Sequence, residues 1–470
     1  MDATAGEGSH TPLPVTAEAT EISHVVGVGF GPSNLALAIA IAEHNAKIAP
    51  EAALRALFVE RQATFGWHRG MLLDGATMQV AFLKDLVTLR NPESGFSFLS
   101  YLHAVGRLVD FINHKTMYPS RVEFHDYLAW AAARLGALVL YDSEVREIRP
   151  VFHDDVVDCL DVVINTAAAP SGSVVRRTRN VVLGVGLEPY LPDGVENSDR
   201  VWHNHDLLTR LETLRSRQGS VTPPGRFVVV GAGQSAAETT EYLHRSFPDA
   251  EVCAVFSRYG YSPADDSPFA NRIFDPNAVD EFFHAPAEVK STLFDYHRNT
   301  NYSVVDTELI EELYRRAYQE EVSGRRRLRI LKTSSLVGLS TGAAGVQTTV
   351  EFLPTGEKTV LDADVVVFAT GYRPRDPIGL LGELAPFCRT DSSGRLMVDR
   401  DYRVVTDPEL TCGIYLQGGT EHTHGISSSL LSNVAVRSGE ILHSITAHGR
   451  RGDPGVERSD ALSVRALSLR

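Results

Sequence analysis

Two glycine-rich turns, each placed between a strand pattern and a helix pattern, constrain the fold of this 470-residue chain more than any other feature. Residues 22–31 read as a short buried strand that runs into a tight turn, and an Ala/Leu/Ile-rich helix pattern follows over 35–46. The strand pattern 56–60 closes a βαβ unit, and residues 226–258 repeat the same plan. Because each such unit holds a nucleotide at its helix N-terminus, two copies predict two dinucleotide sites.

The first turn, residues 29–34, reads Gly-Phe-Gly-Pro-Ser-Asn. Gly29 permits the sharp strand-to-helix turn, and Gly31 lets backbone N–H groups approach a pyrophosphate. Asn34 stands where the general fingerprint has a third glycine. Glu60 ends the next strand, where a carboxylate accepts hydrogen bonds from ribose hydroxyls. A dinucleotide without a 2′-phosphate is therefore expected at the first turn, and FAD fits.

The second turn, residues 231–236, reads Gly-Ala-Gly-Gln-Ser-Ala, and its partner strand ends at Arg258 instead of an acid. An arginine at this place pairs with a 2′-phosphate, whereas a carboxylate would repel it. NADPH is therefore expected at the second turn in preference to NADH. The contacts predicted within the turn are those of Gly231, Gly233, Gln234 and Ser235.

These patterns predict an α/β chain with two Rossmann-like dinucleotide-binding domains, one for FAD and one for NADPH, and a smaller, mainly helical substrate-binding region. The polar, Asn-rich stretch 259–325 has helical patterning near 306–322 and is interpreted as an insertion into the second unit. The expected boundaries are 22–220 with 362–448 for the FAD-binding domain, 221–361 for the NADPH-binding domain, and 1–20 and 450–470 for disordered tails.

Composition excludes several other classes of protein. The four cysteines lie far apart without a CxxC pair, so a flavin disulfide reductase and a Cys/His metal site are not expected. The net charge of −14 argues against nucleic acid or an anionic membrane as a partner. No apolar run of about 18 residues and no signal core occurs, so a cytoplasmic protein without a membrane span is expected.

Two dinucleotides in one chain imply that hydride passes from nicotinamide to flavin, and the reduced flavin then needs an electron acceptor. Since neither a cysteine pair nor a set of iron–sulfur ligands is available, O2 is the simplest acceptor. The chain would then have to shield an oxygenated flavin from water.

Several further segments resemble the L-ornithine N5-monooxygenases of siderophore biosynthesis. The resemblance runs over about residues 22–445, and it is carried by the segments 78–92 (MQVAFLKDLVTLRNP), 265–271 (DDSPFAN), 301–305 (NYSVV), 368–372 (FATGY) and 424–432 (HGISSSLLS). It implies that NADPH reduces FAD, that oxygen adds at flavin C4a, and that the neutral side-chain amine of L-ornithine attacks the resulting peroxide. The product would be N5-hydroxyornithine for a hydroxamate siderophore, and the family often forms homotetramers.

The resemblance also implies site residues. Lys84 matches the lysine that pairs with the substrate carboxylate, and Asn271 and Asn301 match asparagines that bind the backbone groups of the amino acid. Ser429 is assigned to the amine end. Gln79 matches a position near the flavin ring and is the residue assigned to catalysis. Contacts to FAD are also expected from Trp67 and His68, and contacts to NADPH from Thr370, Gly371 and Tyr372.

Three alternatives remain open from the sequence. L-Lysine is the nearest rival substrate, because one methylene is worth only ~1–3 kcal/mol of discrimination. A flavin monooxygenase that acts on a ketone or a soft nucleophile is disfavoured, because residues 201–206 (VWHNHD) lack the Phe-x-Gly start of the Baeyer–Villiger segment. A flavin-binding scaffold without chemistry would have lost the substrate residues, which are all present.

His422 and His424 have the spacing of a metal pair but no accompanying carboxylate–histidine set, so no metal is expected.

Overall fold

The strands of the protein form several sheets in a computed structural model that describes residues 21–169, 171–216, 224–342 and 345–449. The predicted tails 1–20 and 450–470 lie outside these residues. The strands are β1 (Val25–Val28), β2 (Ala56–Val59), β3 (Val139–Leu140), β4 (Ser143–His153), β5 (Val156–Thr166), β6 (Ser173–Thr178), β7 (Asn180–Leu183), β8 (Leu187–Pro189), β9 (Val201–His203), β10 (Arg226–Val230), β11 (Glu251–Val255), β12 (Leu328–Leu331), β13 (Ser334–Thr341), β14 (Val346–Phe352), β15 (Glu357–Ala363), β16 (Val365–Phe368), β17 (Tyr372–Pro374) and β18 (Gly413–Leu416).

The α-helices of the same residues connect and cover these strands. They are α1 (Pro32–Asn45), α2 (Phe98–Ala104), α3 (Leu108–His114), α4 (Arg121–Ala133), α5 (Leu207–Ser216), α6 (Gln234–Ser246), α7 (Pro276–His284), α8 (Ala287–Asn301), α9 (Thr307–Ser323), α10 (Ile378–Leu381), α11 (Glu421–His424) and α12 (Val434–Gly449).

The first parallel sheet has the strand order β18-β7-β1-β2-β3. Strand β1 is buried over its whole length and pairs with β2 from Val25↔Ala56 to Val28↔Val59. Helix α1 starts with Pro32, which suits the first helical position because its missing N–H would have no partner there. The apolar run from Leu35 to Ile41 is buried between the sheet and the neighbouring helices. The turn between β1 and α1 thus lies at the carboxyl edge of the sheet, beside the residue that follows β2.

The second parallel sheet has the order β12-β11-β10-β16-β9 and repeats this arrangement. Strands β10 and β11 pair over five residues, from Arg226↔Glu251 to Val230↔Val255. Helix α6 follows β10 as predicted and packs against it. The two parallel sheets, each with a helix after its glycine turn, confirm the predicted α/β class with two Rossmann-like units.

The boundaries between the two units differ from those expected at 220 and 362. Strand β9 pairs with β16, and β16 pairs with β10, so both belong to the second sheet, although the sequence pattern had assigned them to the FAD-binding domain. The chain crosses between the units through β8 and β17, which pair with each other in antiparallel fashion. A short buried apolar strand such as β16 fits either sheet by its residue pattern, and only pairing over long sequence distances decides which.

Helices α7, α8 and α9 lie between β11 and β12 and form the predicted helical insertion. Helix α9 begins at Thr307 and ends at Ser323, close to the helical pattern predicted at 306–322. Its Leu313 packs with Val305 and with Ala237 of α6, so the insertion is anchored on the second unit. The start of α9 lies close to the second glycine turn.

Two antiparallel sheets were not predicted. Strands β4, β5 and β6 form one and pack beside the first parallel sheet, and β13, β14 and β15 form the other beside the second sheet. In β4 the buried residues alternate in part with exposed ones, which is typical of a sheet with one face toward water.

All four cysteines, Cys159, Cys253, Cys388 and Cys412, are buried and free. In the part of the chain that the structure describes, no helix is both long and apolar enough to cross a membrane.

Candidate active site

The first glycine turn has the geometry of an anion-binding helix start. Gly29 has a φ of +81°, and a Cβ there would lie 2.4 Å from the carbonyl oxygen of Gly184, so only glycine fits without strain. Gly31 caps α1 without a side-chain hydrogen bond, and nothing lies within 4 Å of the place where its Cβ would be. The start of α1 is therefore open at Gly31, which suits the approach of a pyrophosphate to the helix N-terminus.

Glu60 is buried at the carboxyl end of β2 and touches this turn directly. Its Oε2 accepts the backbone N–H of Phe30 at 2.8 Å, and its Oε1 accepts the backbone N–H of Gln62 at 2.9 Å. Each carboxylate oxygen has a second lone pair, so two acceptor positions remain for hydroxyl donors. The residues of the first turn therefore fit a dinucleotide whose ribose has free hydroxyls and no 2′-phosphate.

Asn34 explains why the third glycine of the fingerprint is replaced. Its fully buried Nδ2 donates to the carbonyl oxygens of Val28 at 3.1 Å and Gly29 at 2.8 Å. The side chain fills the space that Gly27 and Gly184 leave, because a Cβ on Gly184 would lie 2.6 Å from Asn34 Nδ2. Asn34 thus holds the turn from inside.

The second turn repeats the backbone geometry. Gly231 has a φ of +141°, and a Cβ there would lie 2.3 Å from the carbonyl oxygen of Ala369. Gly233 caps α6 without a side-chain hydrogen bond, and Ser235 lies in the first turn of that helix. This helix start offers its backbone N–H groups to a second pyrophosphate.

Arg258 follows β11 at the same edge of the second sheet and is half-buried. Its Nη1 donates to the carbonyl oxygen of Ser303 at 2.9 Å and to Ser262 Oγ at 3.4 Å. Within the described residues the guanidinium forms no ion pair with a carboxylate. Its charge is therefore available to a phosphate group, which is what a nucleotide with a 2′-phosphate requires.

Both predicted glutamines bind Asp306, a residue that no sequence motif marks. Gln79 Nε2 donates to Asp306 Oδ2 at 2.6 Å, and Gln234 Nε2 donates to the same oxygen at 3.1 Å. Gln234 Nε2 also donates to Glu238 Oε1 at 3.0 Å. With both amide hydrogens of Gln234 engaged, the contacts that remain for a dinucleotide here are backbone N–H groups at the start of α6.

The predicted substrate residues Lys84 and Asn271 lie near one another. The Lys84 ammonium stands 5.7 Å from the ring centroid of Phe274, which is three residues beyond Asn271 in the same short helical turn, Ala270–Phe274. Asn271 Nδ2 donates to the carbonyl oxygen of Asp266 at 2.7 Å, so its Oδ1 is the end left to accept a hydrogen bond. Among the described residues no carboxylate forms an ion pair with Lys84.

The segment that follows α8 is tied to the loop after β18. Tyr302 donates its hydroxyl to Glu421 Oε1, which brings the 301–305 segment against α11. The side chains of Asn301 and Ser429 lie outside the described part of the structure. Both segments nevertheless lie on the side of the molecule that carries Asn271, since the turn 270–274 contacts α8, which ends at Asn301, and residues 426–429.

The predicted FAD contacts Trp67 and His68 lie at the junction of the two units. The Trp67 ring packs on Phe124 at 6.3 Å between centroids, within the core of the first unit. The His68 ring lies 5.7 Å from the ring of Tyr372, and burial lowers the pKa of His68 to about 4, so this imidazole is neutral at pH 7. The hydroxyl of Thr370 donates to the carbonyl oxygen of Tyr190, and the backbone N–H of Tyr190 donates to the carbonyl oxygen of Gly371.

His422 and His424 are held by backbone carbonyls. His422 Nε2 bonds to the carbonyl oxygen of Leu396 at 2.9 Å, and His424 Nε2 bonds to that of Arg400 at 3.2 Å. Over the described ranges no group of three His, Cys, Asp or Glu side chains is close enough to hold a metal ion.

A buried arginine on α12, Arg437, is a second site residue without a sequence motif. Arg437 is 1% exposed, and its Nε donates to Gln417 Oε1 at 2.8 Å. Its Nη2 donates to Ser33 Oγ in the first glycine turn at 3.2 Å, and its Nη1 donates to the carbonyl oxygen of Ser428. The guanidinium thus links the first turn to the loop that carries Ser429. No local pattern marks Arg437, because its partners are separated from it in sequence.

Comparison with known proteins identifies the family to which the chain belongs. Residues 21–374 match the family model of L-lysine 6-monooxygenase/L-ornithine 5-monooxygenase. L-Ornithine N(5)-monooxygenase of Burkholderia cepacia is 41% identical over 408 residues, which cover 85% of this chain and 89% of that protein. The solved ornithine N-hydroxylase KtzI of Kutzneria sp. 744 is 50% identical with a TM-score of 0.85, over 91% of this chain and 100% of that one.

The L-lysine 6-monooxygenase structure from Pseudomonas syringae is also similar, with 32% identity and a TM-score of 0.79 over 91% of this chain and 99% of that one. These matches confirm both the fold class and the resemblance that the sequence motifs indicated. The chain belongs to the L-lysine 6-monooxygenase/L-ornithine 5-monooxygenase family.

Proposed function

We propose that this enzyme uses FAD, NADPH and O2 to hydroxylate the side-chain amine of L-ornithine, giving N5-hydroxyornithine. The observation that carries the proposal is the pair of nucleotide turns with different strand-end residues, Glu60 at the first and Arg258 at the second. The similar KtzI structure is described as a complex with reduced FAD, NADP+ and L-ornithine, which supports the same set of ligands here.

The chain's own residues fit the two cofactors at separate places. Gly29, Gly31 and the start of α1 would hold the FAD pyrophosphate, and Glu60 would accept its ribose hydroxyls. Gly231, Gly233 and the start of α6 would hold the NADPH pyrophosphate, with Arg258 at the 2′-phosphate. FAD, when bound, supplies the oxygen activation that no protein side chain provides.

The residues of the first unit and of the insertion form the proposed amino-acid site. Lys84 would pair with the substrate carboxylate, because its ammonium has no carboxylate partner among the described residues. Asn271 Oδ1 would accept from the α-ammonium group, and we assign Asn301 to the same backbone groups and Ser429 to the amine end. The side-chain amine must be neutral to act as a nucleophile, so this part of the site has to accommodate an uncharged amine.

Gln79, Trp67 and His68 are proposed at the flavin, and Thr370, Gly371 and Tyr372 at the nicotinamide nucleotide. These assignments agree with the position of His68 and Tyr372 at the junction of the two units. A neutral His68 adds no charge next to a cofactor, because burial keeps its pKa at about 4.

The cellular setting is proposed by analogy with the family. N5-Hydroxyornithine is a precursor of hydroxamate iron ligands, so the enzyme would serve siderophore biosynthesis. All four cysteines are free thiols, which suits a reducing compartment, so we place the reaction in the cytoplasm. A homotetramer is the proposed assembly.

One assay tests the proposed function. The purified holoenzyme is mixed with NADPH and O2, and hydroxylamine product and hydrogen peroxide are measured with L-ornithine, with L-lysine and without an amine. Hydroxylamine formation that is at least tenfold more efficient with L-ornithine is expected. Equal turnover with both amines would assign the chain to a broader amine hydroxylase, and peroxide as the only product with every amine would contradict the proposal.

A further inference from the structure

Asp306 occupies the N-cap position of α9 but does not cap its own helix. An N-cap aspartate usually accepts a backbone N–H two or three residues further on, whereas the Asp306 side chain makes no such bond. Its Oδ2 instead accepts from Gln79 Nε2 at 2.6 Å and from Gln234 Nε2 at 3.1 Å. The Asp306 carboxylate therefore makes no capping bond to its own helix and instead bonds to two side chains that are distant in sequence.

Both the oxygen and the nitrogen of the Gln234 side-chain amide are hydrogen bonded. Its Oε1 accepts the backbone N–H of Asp306 at 2.9 Å, and its Nε2 also donates to Glu238 Oε1 at 3.0 Å. Glu238 in turn receives two bonds from Arg121, at 2.7 Å and 2.9 Å, in an ion pair whose side chains are 5% and 12% exposed. This chain of contacts joins α4 of the first unit to α6 and α9 of the second.

The chemistry of a carboxylate decides how the two amides are oriented. An ionised carboxylate only accepts hydrogen bonds, so each glutamine must turn its Nε2 toward Asp306. Gln79 Oε1 consequently points away from Asp306, and no hydrogen bond joins it to any described residue. Since the Gln79 side chain is exposed, its carbonyl oxygen is a free acceptor at the place predicted to face the flavin.

We propose that Asp306 is a positioning residue that fixes both amides: it makes Gln79 present a hydrogen-bond acceptor to an N–H group of a bound cofactor, and it holds the start of α6 for the dinucleotide. The inference rests on the proposed function, because it takes the two glycine turns as cofactor sites. It differs from the sequence prediction for Gln234, because it gives the Gln234 side chain no contact with the nucleotide. For Gln79 it adds the residue that orients the amide.

Three variants test the role of Asp306. Asp306→Ala removes both bonds, Asp306→Asn keeps the shape and one acceptor oxygen but loses the charge, and Glu311→Gln removes an exposed acid of the same helix as a matched control. Each holoenzyme is analysed for FAD content and melting temperature, for NADP+ affinity by titration calorimetry, and for the rate of flavin reduction by NADPH under anaerobic conditions.

The three variants are expected to differ in how much NADP+ affinity and flavin-reduction rate they lose. Asp306→Ala raises the Kd for NADP+ and slows flavin reduction, each by about tenfold, because two charge-assisted hydrogen bonds no longer hold the amides. Asp306→Asn shows a smaller loss in both, and Glu311→Gln matches the wild type. FAD content stays the same in all variants, since Asp306 does not touch the first glycine turn. If Asp306 only supported the fold, Asp306→Ala would lower the melting temperature without separating NADP+ affinity and reduction rate from FAD content.

A double-mutant cycle then separates the two amides. If Asp306 acts on flavin reduction through Gln79, then adding Asp306→Ala to Gln79→Ala slows reduction no further, whereas the rise in the Kd for NADP+ persists through Gln234. Additive losses in reduction rate would overturn the assignment of Gln79 as the mediator. Asp306→Ala that behaves like Glu311→Gln would overturn the whole inference. A wild-type protein that binds no NADP+ would instead contradict the proposed function.

Discussion

The backbone N–H of Phe30 donates to Glu60 Oε2 at 2.8 Å, so the residue that ends the second strand also holds the first glycine turn. The same carboxylate accepts the N–H of Gln62 at 2.9 Å. Glu60 thus shapes the turn and, under the proposed function, would also accept hydrogen bonds from ribose hydroxyls. This relationship makes the proposed FAD site sensitive to a change that leaves every glycine in place.

Replacement of Glu60 by Ala is expected to weaken FAD binding by about 10- to 100-fold, because hydrogen bonds to a charged group are lost and two backbone N–H groups lose their acceptor. The Kd for FAD is measured on the apoenzyme by the change in flavin fluorescence. Glu60→Gln, which keeps one acceptor oxygen, should lie between the Ala variant and the wild type. Exposed Glu51→Ala serves as control, and an unchanged Kd in Glu60→Ala would remove Glu60 from the site.

Arg258→Ala is expected to abolish most of the preference for NADPH over NADH. The guanidinium forms no ion pair with a described carboxylate, so its main electrostatic partner would be the 2′-phosphate. We expect the KM for NADPH to rise about 10- to 100-fold and the KM for NADH to change little. Flavin reduction is measured with both nucleotides. Arg325→Ala removes an exposed arginine as the control, and equal losses with both nucleotides would mean that Arg258 only supports the fold.

Lys84→Ala is expected to raise the KM for L-ornithine by about 10- to 100-fold while NADPH reduces the flavin at the wild-type rate, because the lysine would bind the substrate carboxylate and not a cofactor. Steady-state hydroxylation and anaerobic flavin reduction are measured separately. Lys47→Ala, an exposed lysine far along the chain from the motif, is the control. A collapse of flavin reduction would show that Lys84 acts on a cofactor instead.

Hydroxylation is expected to become faster as the pH rises from about 7 toward 9. The side-chain amine has a pKa near ~10.4 in water, so its neutral, nucleophilic fraction grows with pH. The rate of the amine step is measured by single-turnover mixing of oxygenated reduced enzyme with L-ornithine. A flat profile, with the amine step shown to limit the rate, would contradict a neutral amine as the attacking form.

The parts of the proposed site that the sequence predicts are those encoded locally. Gly29 and Gly231 have a positive φ that favours glycine, Gly31 leaves open space at the start of α1, and Glu60 follows at the spacing of one βαβ unit. Backbone requirements of this kind leave a mark within about thirty residues. Strand β16 had no such mark, because its apolar residues suit either sheet, and the boundary at 362 was therefore wrong.

The Asp306 contacts could not be predicted for a different reason. Gln79 and Asp306 are separated by 227 residues, and each has an ordinary setting in its own segment. Arg121 and Glu238 are likewise ion-pair partners although 117 residues separate them in sequence. Charged side chains become partners inside a protein when burial makes an unpaired charge costly, and a sequence alone does not state which distant segments share that interior.

Acid is expected to destabilise the enzyme through its buried histidines, before most carboxylates titrate. The ring of His424 is fully buried and stacks on Tyr402 at 4.1 Å, and burial lowers its pKa to about 3. The unfolded chain binds a proton near pH 6.5 while the folded chain does not. The stability that this histidine contributes is therefore complete above pH 6.5 and decreases as pH falls toward 3, at ~1.4 kcal/mol per pH unit.

His68 and His203, whose pKa values burial lowers to about 4, act in the same direction. The melting temperature of the holoenzyme should therefore fall steeply between pH 6.5 and 5. His424→Gln keeps an N–H that can donate to the carbonyl oxygen of Arg400 but has no group that titrates. This variant is expected to melt lower than the wild type at pH 7.5, because it loses the stacking on Tyr402, yet to lose less on acidification. An acid slope equal to that of the wild type would mean that His424 is protonated in the folded protein.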